Sequence, residues 1–321
     1  MIKLFTHTDL DGIGCAVLAY LAFGCGNVDV EFCNYDDVDE KVETLLSNSD
    51  LRNLYDKIFI TDISISEGLA KTIDVWINPF NVRLFDHHAT ALCLNEYKWC
   101  TVMVGHHYSG IKTSGTELLS MHLFENEQFN YYDAHIIENI YRFVDIVRDY
   151  DTWRWKELGN DGIVCKQVND LFHILGRDEF IKWAINQIHG LNYVTPLQEF
   201  PYFGEKELTL LEQKQREIDR YVEEKNEQLF TSPMCGKVCG FVFAERFISE
   251  LGNRLCEIHP EIDFVAIINM SSKTVSYRTV KDNIDLGRDV ASLFGGGGHP
   301  KAAGSTFDNS VSMKIIQNIF Q

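Results

Sequence analysis

Near the start of the chain stand His7, Asp9 and Asp11, spaced two apart and followed by Gly12. Alternate residues of an extended segment face the same way, so one imidazole and two carboxylates can converge before the glycine lets the chain turn. Two later segments repeat this chemistry. Asp62 follows the apolar run 58–61, and Asp86-His87-His88 follows Leu84-Phe85. Each carboxylate taken alone can be a cap for the next helix. Taken together, these oxygen and nitrogen donors suit Mn²⁺ or a similar hard to borderline cation better than a thiolate-loving metal. Two such cations about 3.5–4 Å apart can share a bridging carboxylate, lower the pKa of a water and stabilise charge on a phosphoryl group.

The surrounding pattern explains how such residues would be brought together. Segments Ile2–Thr6, 28–33, Lys57–Thr61 and 82–85 are short, β-branched and aromatic, and 12–23 reads as a buried helix rich in Ala, Leu and Gly. Strand, helix and strand in alternation predict an α/β fold with a parallel sheet and helices on its faces. Ligands bind beyond the carboxyl ends of such strands. His7, Asp62 and Asp86 all fall there. From Ser114 the pattern turns helical: Ser114-Gly-Thr-Glu117 has the form of a capping box. A helix over 134–147 runs into Arg148-Asp149-Tyr150-Asp151-Thr152-Trp153, and further helices are predicted near 162–174 and 178–189. Residues 204–229 read as one long solvated helix. After Pro233, strands over Lys237–Phe243, 262–270 and 273–279 surround a helix near 245–258. The expected organisation is a catalytic α/β domain over 1–195, a helical linker over 196–232 and a smaller C-terminal α/β domain over 233–321.

Bulk properties narrow the function. With 321 residues and 45% apolar content, the chain can bury a sizeable core. Its 47 acidic and 29 basic side chains give a net charge of −18, which argues against a general binder of duplex DNA. A small phosphorylated substrate is not excluded, because metal ions reverse the local charge. Nine cysteines without paired spacing point to reduced thiols rather than a zinc-thiolate site. The run from Met1 straight into His7 leaves no room for a signal peptide, and the longest apolar run, 15–23, is too short for a membrane span. The expected location is the cytoplasm, with no membrane partner.

His7-x-Asp9-x-Asp11-Gly12, Asp62, Asp86-His87-His88 and the terminal Gly295-Gly-Gly-Gly-His299-x-x-Ala302-Ala303-Gly304 resemble the motifs of the DHH phosphoesterase superfamily. The glycine-rich tail resembles that family's DHH-associated C-terminal domain. The motifs occupy both ends of the chain in the family's order, and the length looks most like the bacterial nanoRNases (oligoribonucleases) of the nanoRNase B type. The resemblance implies one cation on His7, Asp9 and Asp62, and a second on Asp11, Asp62, His87 and an aspartate of a fourth motif. Asp62 would bridge, Asp86 would orient His87 from behind, and His88 would contact the scissile phosphate. The fourth motif offers Asp145, Asp149 and Asp151; Asp149 is favoured because it falls at the expected helix break, with Asp151 left open.

In the C-terminal domain, the backbone N–H groups of Gly296, Gly297 and Gly298, with His299 and Arg278, would grip the rest of the substrate. The implied cofactors are two divalent ions, Mn²⁺ foremost, with Mg²⁺ or Co²⁺ as alternatives. The implied activity is exoribonuclease-like hydrolysis of short RNA to mononucleotides. Cyclic or linear dinucleotides and cyclic mononucleotides are alternative substrates. Pyrophosphate or polyphosphate needs a strongly basic channel, and Lys273, Arg278, Lys281, Arg288 and Lys301 make a modest one. A homodimer is compatible with the resemblance. His106-His107, with no carboxylate close in sequence, reads as loop or surface, and Trp153 and Trp155 as packing.

Overall fold

A computed structural model of the chain describes residues 1–77, 81–190 and 200–319. Two compact units divide at residues 211 and 212. The expected boundary at 195/196 lies outside the described residues.

The first unit is built on five strands: β1 (Ile2–Thr6), β2 (Val28–Phe32), β3 (Lys57–Thr61), β4 (Val82–Asp86) and β5 (Cys100–Val102). They form one all-parallel sheet in the order β2-β1-β3-β4-β5. Side chains alternate between two cores, as the strand period requires. Leu4 and Phe59 face one, Phe5, Ile58 and Ile60 the other. Helices cover both faces: α1 (Leu10–Phe23), α2 (Val38–Ser47), the short α3 (Ser49–Arg52), α4 (Glu67–Thr72), α5 (Gly115–Glu125), α6 (Ala134–Asp151), α7 (Asn160–Leu175) and α8 (Arg177–Ile188). The first core takes α1 and α5 to α8, while Val38, Val42, Leu46 and Leu69 of α2 and α4 fill the second.

Helix α9 (Glu205–Glu227) crosses the division between the units. It is not solvated all round: Leu211 joins a core of the first unit, and Ile218 and Val222 join one of the second. The second unit holds β6 (Phe230–Met234), β7 (Lys237–Phe243), α10 (Ile248–Ile258), β8 (Phe264–Asn269), β9 (Thr274–Arg278), α11 (Leu286–Asp289), β10 (Gly297–Gly298), β11 (Ala302–Thr306) and α12 (Asn309–Ile319). Its six-stranded sheet runs β10-β11-β9-β8-β7-β6. Only β7 and β8 pair in parallel, with α10 as their crossover. Pro233, expected to lie at a domain edge, sits inside β6, an edge strand where a missing N–H is tolerated. Among the described residues no helix is long and apolar enough to cross a membrane, and all nine cysteines are free.

Candidate active site

Because β1 to β4 are parallel, their carboxyl ends share one edge, and each delivers polar residues to it. The loop after β1 folds tightly on itself: a Cβ on Gly12 would lie 2.1 Å from the His7 carbonyl oxygen. The Thr6 hydroxyl, which accepts from Thr61, donates to the Gly12 carbonyl. Asp9 serves both readings of its type. Its Oδ1 accepts from the Gly12 N–H as the cap of α1, and its Oδ2 lies 2.9 Å from His7 Nδ1. Asp11 sits in the first turn of α1, 1% exposed, with both oxygens accepting N–H groups of Gly115 (2.6 Å) and Thr116 (2.8 Å). The N-terminus of α5 thus holds this carboxylate with two hydrogen bonds and a favourable dipole.

Asp62 is the most constrained member. It is 1% exposed and adopts φ = 57°, a left-handed conformation that costs energy outside glycine. The start of α5 presses on it: a Cβ on Gly115 would stand 2.5 Å from Asp62 Cβ and 2.9 Å from its N. Gly115→Ala is therefore expected to cost about 1–3 kcal/mol by overpacking and to weaken metal binding. Chemical denaturation with and without Mn²⁺ checks this, and wild-type behaviour in both would contradict it. Asp62 Oδ1 lies 3.3 Å from His87 Nε2, and Oδ2 lies 3.8 Å from His7 Nδ1. One carboxylate therefore faces two histidines, one on each oxygen.

At the end of β4, Asp86 is fully engaged. Its Oδ1 accepts from the His87 N–H and lies 2.7 Å from His88 Nδ1, while Oδ2 accepts from Ser64. The ring it orients is that of His88, not His87 as expected. His87 Nε2 instead turns to Asp62, to Asp11 Oδ2 (3.7 Å) and to Asp151 Oδ2 (3.5 Å).

The fourth-motif residue at this cluster is Asp151, and the preference for Asp149 is corrected. Asp149 and Asp151 lie two residues apart on α6, about 200° around the axis, so both cannot face one point. Asp149 accepts from Arg148 (2.9 Å) and from Arg154 (2.9 Å). Asp145 pairs with Arg148 at 2.7 Å.

Charge burial sets the electrostatics. Burial, and then the neighbouring charges of Asp11 and Asp9, push the carboxyls of Asp62 and Asp151 well above the usual carboxylate range. Burial opposes ionisation of Asp9 too, but its His7 hydrogen bond pulls that carboxyl down to about 2. The same hydrogen bond raises His7 above the ordinary imidazole value. Burial lowers His87, and the Asp86 hydrogen bond raises His88. Asp62 Oδ2 and His87 Nε2 are buried without a hydrogen-bond partner. Orphaned buried groups of this kind carry a penalty that a cation at the same point removes. His7, Asp9 and Asp62 lie close enough for one ion, and Asp11, His87 and Asp151 for another. The donor set fits hard or borderline divalent metals.

Three further features were not foreseen. Tyr35, beyond β2, has its hydroxyl 3.2 Å from His88 Nε2; extending the strand-end rule to β2 points to it. His106 does have a carboxylate, Glu117 at 3.1 Å. Glu117 also accepts from Arg148, so Ser114 caps α5 as expected while the carboxylate half of the capping box turns elsewhere. As expected, the two tryptophans pack: Trp155 stacks on Tyr150 and Trp153 on Trp155.

In the second unit, Arg278 ends β9 and pairs in register with Ala302, whose backbone bonds to His299 across a tight turn. Its side chain lies over Gly252 of α10, and Nη2 donates to Ser249. Its Nε is buried without a partner, and burial lowers the guanidinium pKa. The glycine run has local reasons as well. A Cβ on Gly296 would meet the Gly304 oxygen at 2.0 Å, and one on Gly298 would meet Ala302 and Ala303, whereas Gly297 has open space beside it. His299 and Gly297 are exposed.

A parallel sheet whose strand ends gather His7, Asp9, Asp11, Asp62, Asp86, His87 and His88, followed by a second unit that carries the Gly-rich hairpin, defines a class. The chain belongs to the DHH phosphoesterase superfamily and is a hydrolytic enzyme. It is 35% identical over 322 residues to oligoribonuclease NrnB of Bacillus subtilis (strain 168), covering 100% of this chain and 76% of that protein. The fold is similar to that of exonuclease RecJ bound to manganese (TM-score 0.57, 12% identity, 97% of this chain and 86% of that one). It also resembles the pGpG-specific phosphodiesterase PggH of Vibrio (TM-score 0.50, 12% identity, 99% and 97%). No protein-family model matches the chain.

Proposed function

We propose that this chain is a two-metal phosphodiesterase of the cytoplasm that degrades short oligonucleotides to mononucleotides, with Mn²⁺ as its working ion. The observation that carries the proposal is Asp62, buried between two histidine-carboxylate sets with one oxygen towards each. His7, Asp9 and Asp62 would hold one ion, and Asp11, His87, Asp62 and Asp151 the other. Bound there, divalent cations supply Lewis acidity and an activated water. The chain's own residues do the rest. Asp86 fixes the His88 ring so that Nε2 faces the reaction space, where it can donate to a phosphoryl oxygen. Asp11 is held rigid by α5, so the ligands keep their geometry through turnover.

The similarity to NrnB across the whole of this chain and 76% of that protein supports an oligoribonucleotide substrate. Arg278, with an unpartnered Nε, suits a terminal phosphate, and His299 and the N–H groups of Gly296, Gly297 and Gly298 would take neighbouring parts of it. Several other cations of the second unit are already paired: Lys281 with Asp263, Arg288 with Asp289 and Lys301 with Asp282. That counts against a polyphosphate channel.

The test is one purified sample assayed with Mn²⁺, Mg²⁺ or Co²⁺ against 5′-phosphorylated dinucleotides, longer RNA, cyclic dinucleotides and polyphosphate. Fastest turnover of the shortest RNA, lost on chelation, is expected; Arg278→Ala should raise KM more than it lowers kcat. Preferred hydrolysis of cyclic dinucleotides or polyphosphate would replace this reading.

A further inference from the structure

Tyr35 belongs to the same sheet edge but has no place in the donor set just described. Its loop is firmly anchored. The Cys33 N–H extends the β1–β2 ladder by bonding to the Thr6 carbonyl, and Asp37 accepts from the Asn34 N–H at 2.8 Å, closing the turn that carries Tyr35. The hydroxyl of Tyr35 lies 3.2 Å from His88 Nε2, and the ring stands 5.3 Å from His7 and edge-on to His88 at 6.0 Å. Yet the residue is 62% exposed.

A tyrosine retained for packing buries its ring and leaves the hydroxyl at the rim. Tyr35 does the reverse: its ring is open to solvent and its hydroxyl is directed at a site histidine. Asp86 already holds His88 Nδ1, so the ring's orientation does not depend on Tyr35. What the hydroxyl shares with His88 is the space in front of Nε2. A phosphoryl oxygen within hydrogen-bond reach of that nitrogen is also within reach of the phenol, which keeps its proton at working pH.

Resting on the phosphodiesterase reading, we propose that Tyr35 contacts the substrate, its hydroxyl donating a hydrogen bond to a non-bridging oxygen of the phosphate being hydrolysed, beside His88. In the substrate-free chain the hydroxyl rests on His88 Nε2; with substrate it exchanges this partner for an anionic oxygen. Hydrogen bonds to charged groups are the stronger kind.

The test uses the full chain loaded with Mn²⁺, as wild type, Tyr35→Phe and Tyr35→Ala. Two readouts are taken: affinity for inorganic phosphate by calorimetric titration, and kcat and KM on a 5′-phosphorylated dinucleotide. Tyr35→Phe should weaken phosphate binding about tenfold or more and lower kcat/KM about 10- to 100-fold, the range for one hydrogen bond to a charged group. Mn²⁺ affinity and Tm should not change. Wild-type phosphate affinity in Tyr35→Phe would overturn the proposal. So would impairment confined to Tyr35→Ala, which would assign the role to the ring. If the wild type cleaves no phosphodiester while Tyr35→Phe still loses phosphate affinity, the contact stands and the proposed substrate falls.

Discussion

Asp62→Asn is expected to abolish hydrolysis while leaving the fold intact or even more stable without metal. Asparagine is nearly isosteric and, like aspartate, tolerates the left-handed conformation that Asp62 adopts at φ = 57°. The substitution removes a charge facing both metal positions, so the loss should exceed the roughly 10–100-fold seen when a group behind a ligand is removed. The stability effect follows from the raised carboxyl pKa. A carboxyl raised in the folded state stabilises the fold when protonated, and that contribution is lost as pH climbs past the ordinary carboxylate range. At neutral pH the metal-free wild type therefore bears the cost of burying Asp62 and of placing it beside Asp11, Asp9 and Asp151, and the asparagine variant is relieved of it.

Metal should reverse the order. Mn²⁺ at a hundredfold over its Kd stabilises the wild type by about 2.7 kcal/mol, a rise of about 5–10 °C for a unit of this size. The variant should gain little. Thermal melts with Mn²⁺ and with a chelator, beside turnover, decide the matter. An Asp62→Asn protein that keeps turnover, or gains the full Mn²⁺-dependent rise, would refute the bridging role.

The second expectation separates two aspartates on one helix. Asp151→Asn should cut activity and metal affinity sharply, because its carboxylate faces His87 and the other ligands, and should leave metal-free stability at or above that of the wild type, because burial raises that carboxyl as it does Asp62. Asp149→Asn should do the opposite. It leaves Arg148, whose side chain is nearly buried, short of a partner. The cost is about 1.5–3 kcal/mol, that of one hydrogen bond between charged groups, because Arg148 keeps Glu117 and Asp145 and Arg154 is partly exposed. Urea denaturation and Mn²⁺ titration on both variants check this. If Asp149→Asn loses metal and Asp151→Asn keeps it, the assignment is inverted.

This pair also marks how far sequence reasoning reached. Strands β1, β3 and β7 begin and end where the pattern predicts, since buried β-branched runs between polar ends leave little freedom. The strand-end rule located His7, Asp62 and Asp86. It was not carried to β2, although Tyr35 lies just past that strand. Asp151 had a readable signal: it continues the stripe Ile140, Val144 and Val147 at helical spacing, all buried in the unit. Choosing by the expected helix break overlooked that phase, and α6 in fact continues through Asp151. Other features were beyond local pattern. A strand as short as β5 shows no useful alternation, and β11 pairs with β9 for reasons of register that its own Ala and Gly residues do not announce. The partners of Glu117 are Arg148, 31 residues away, and His106, so its turn away from the cap is a tertiary effect.

The edge strand that carries Pro233 has a consequence for how copies of this protein meet. In β7, Val238 points both its backbone groups at the β8 side: its N–H donates to the Asp263 side chain and its carbonyl accepts from the Asp263 N–H. Its cross-strand partner Pro233 must then turn its own backbone outward. The ring replaces an N–H at the rim where a foreign strand would dock. At the opposite rim, β10 offers only the two residues Gly297 and Gly298. Neither border of the second sheet can template a long intermolecular ladder. For this sheet, the proline and the brevity of β10 guard against fibrous growth, and any pairing of subunits through it has to rely on side-chain surfaces.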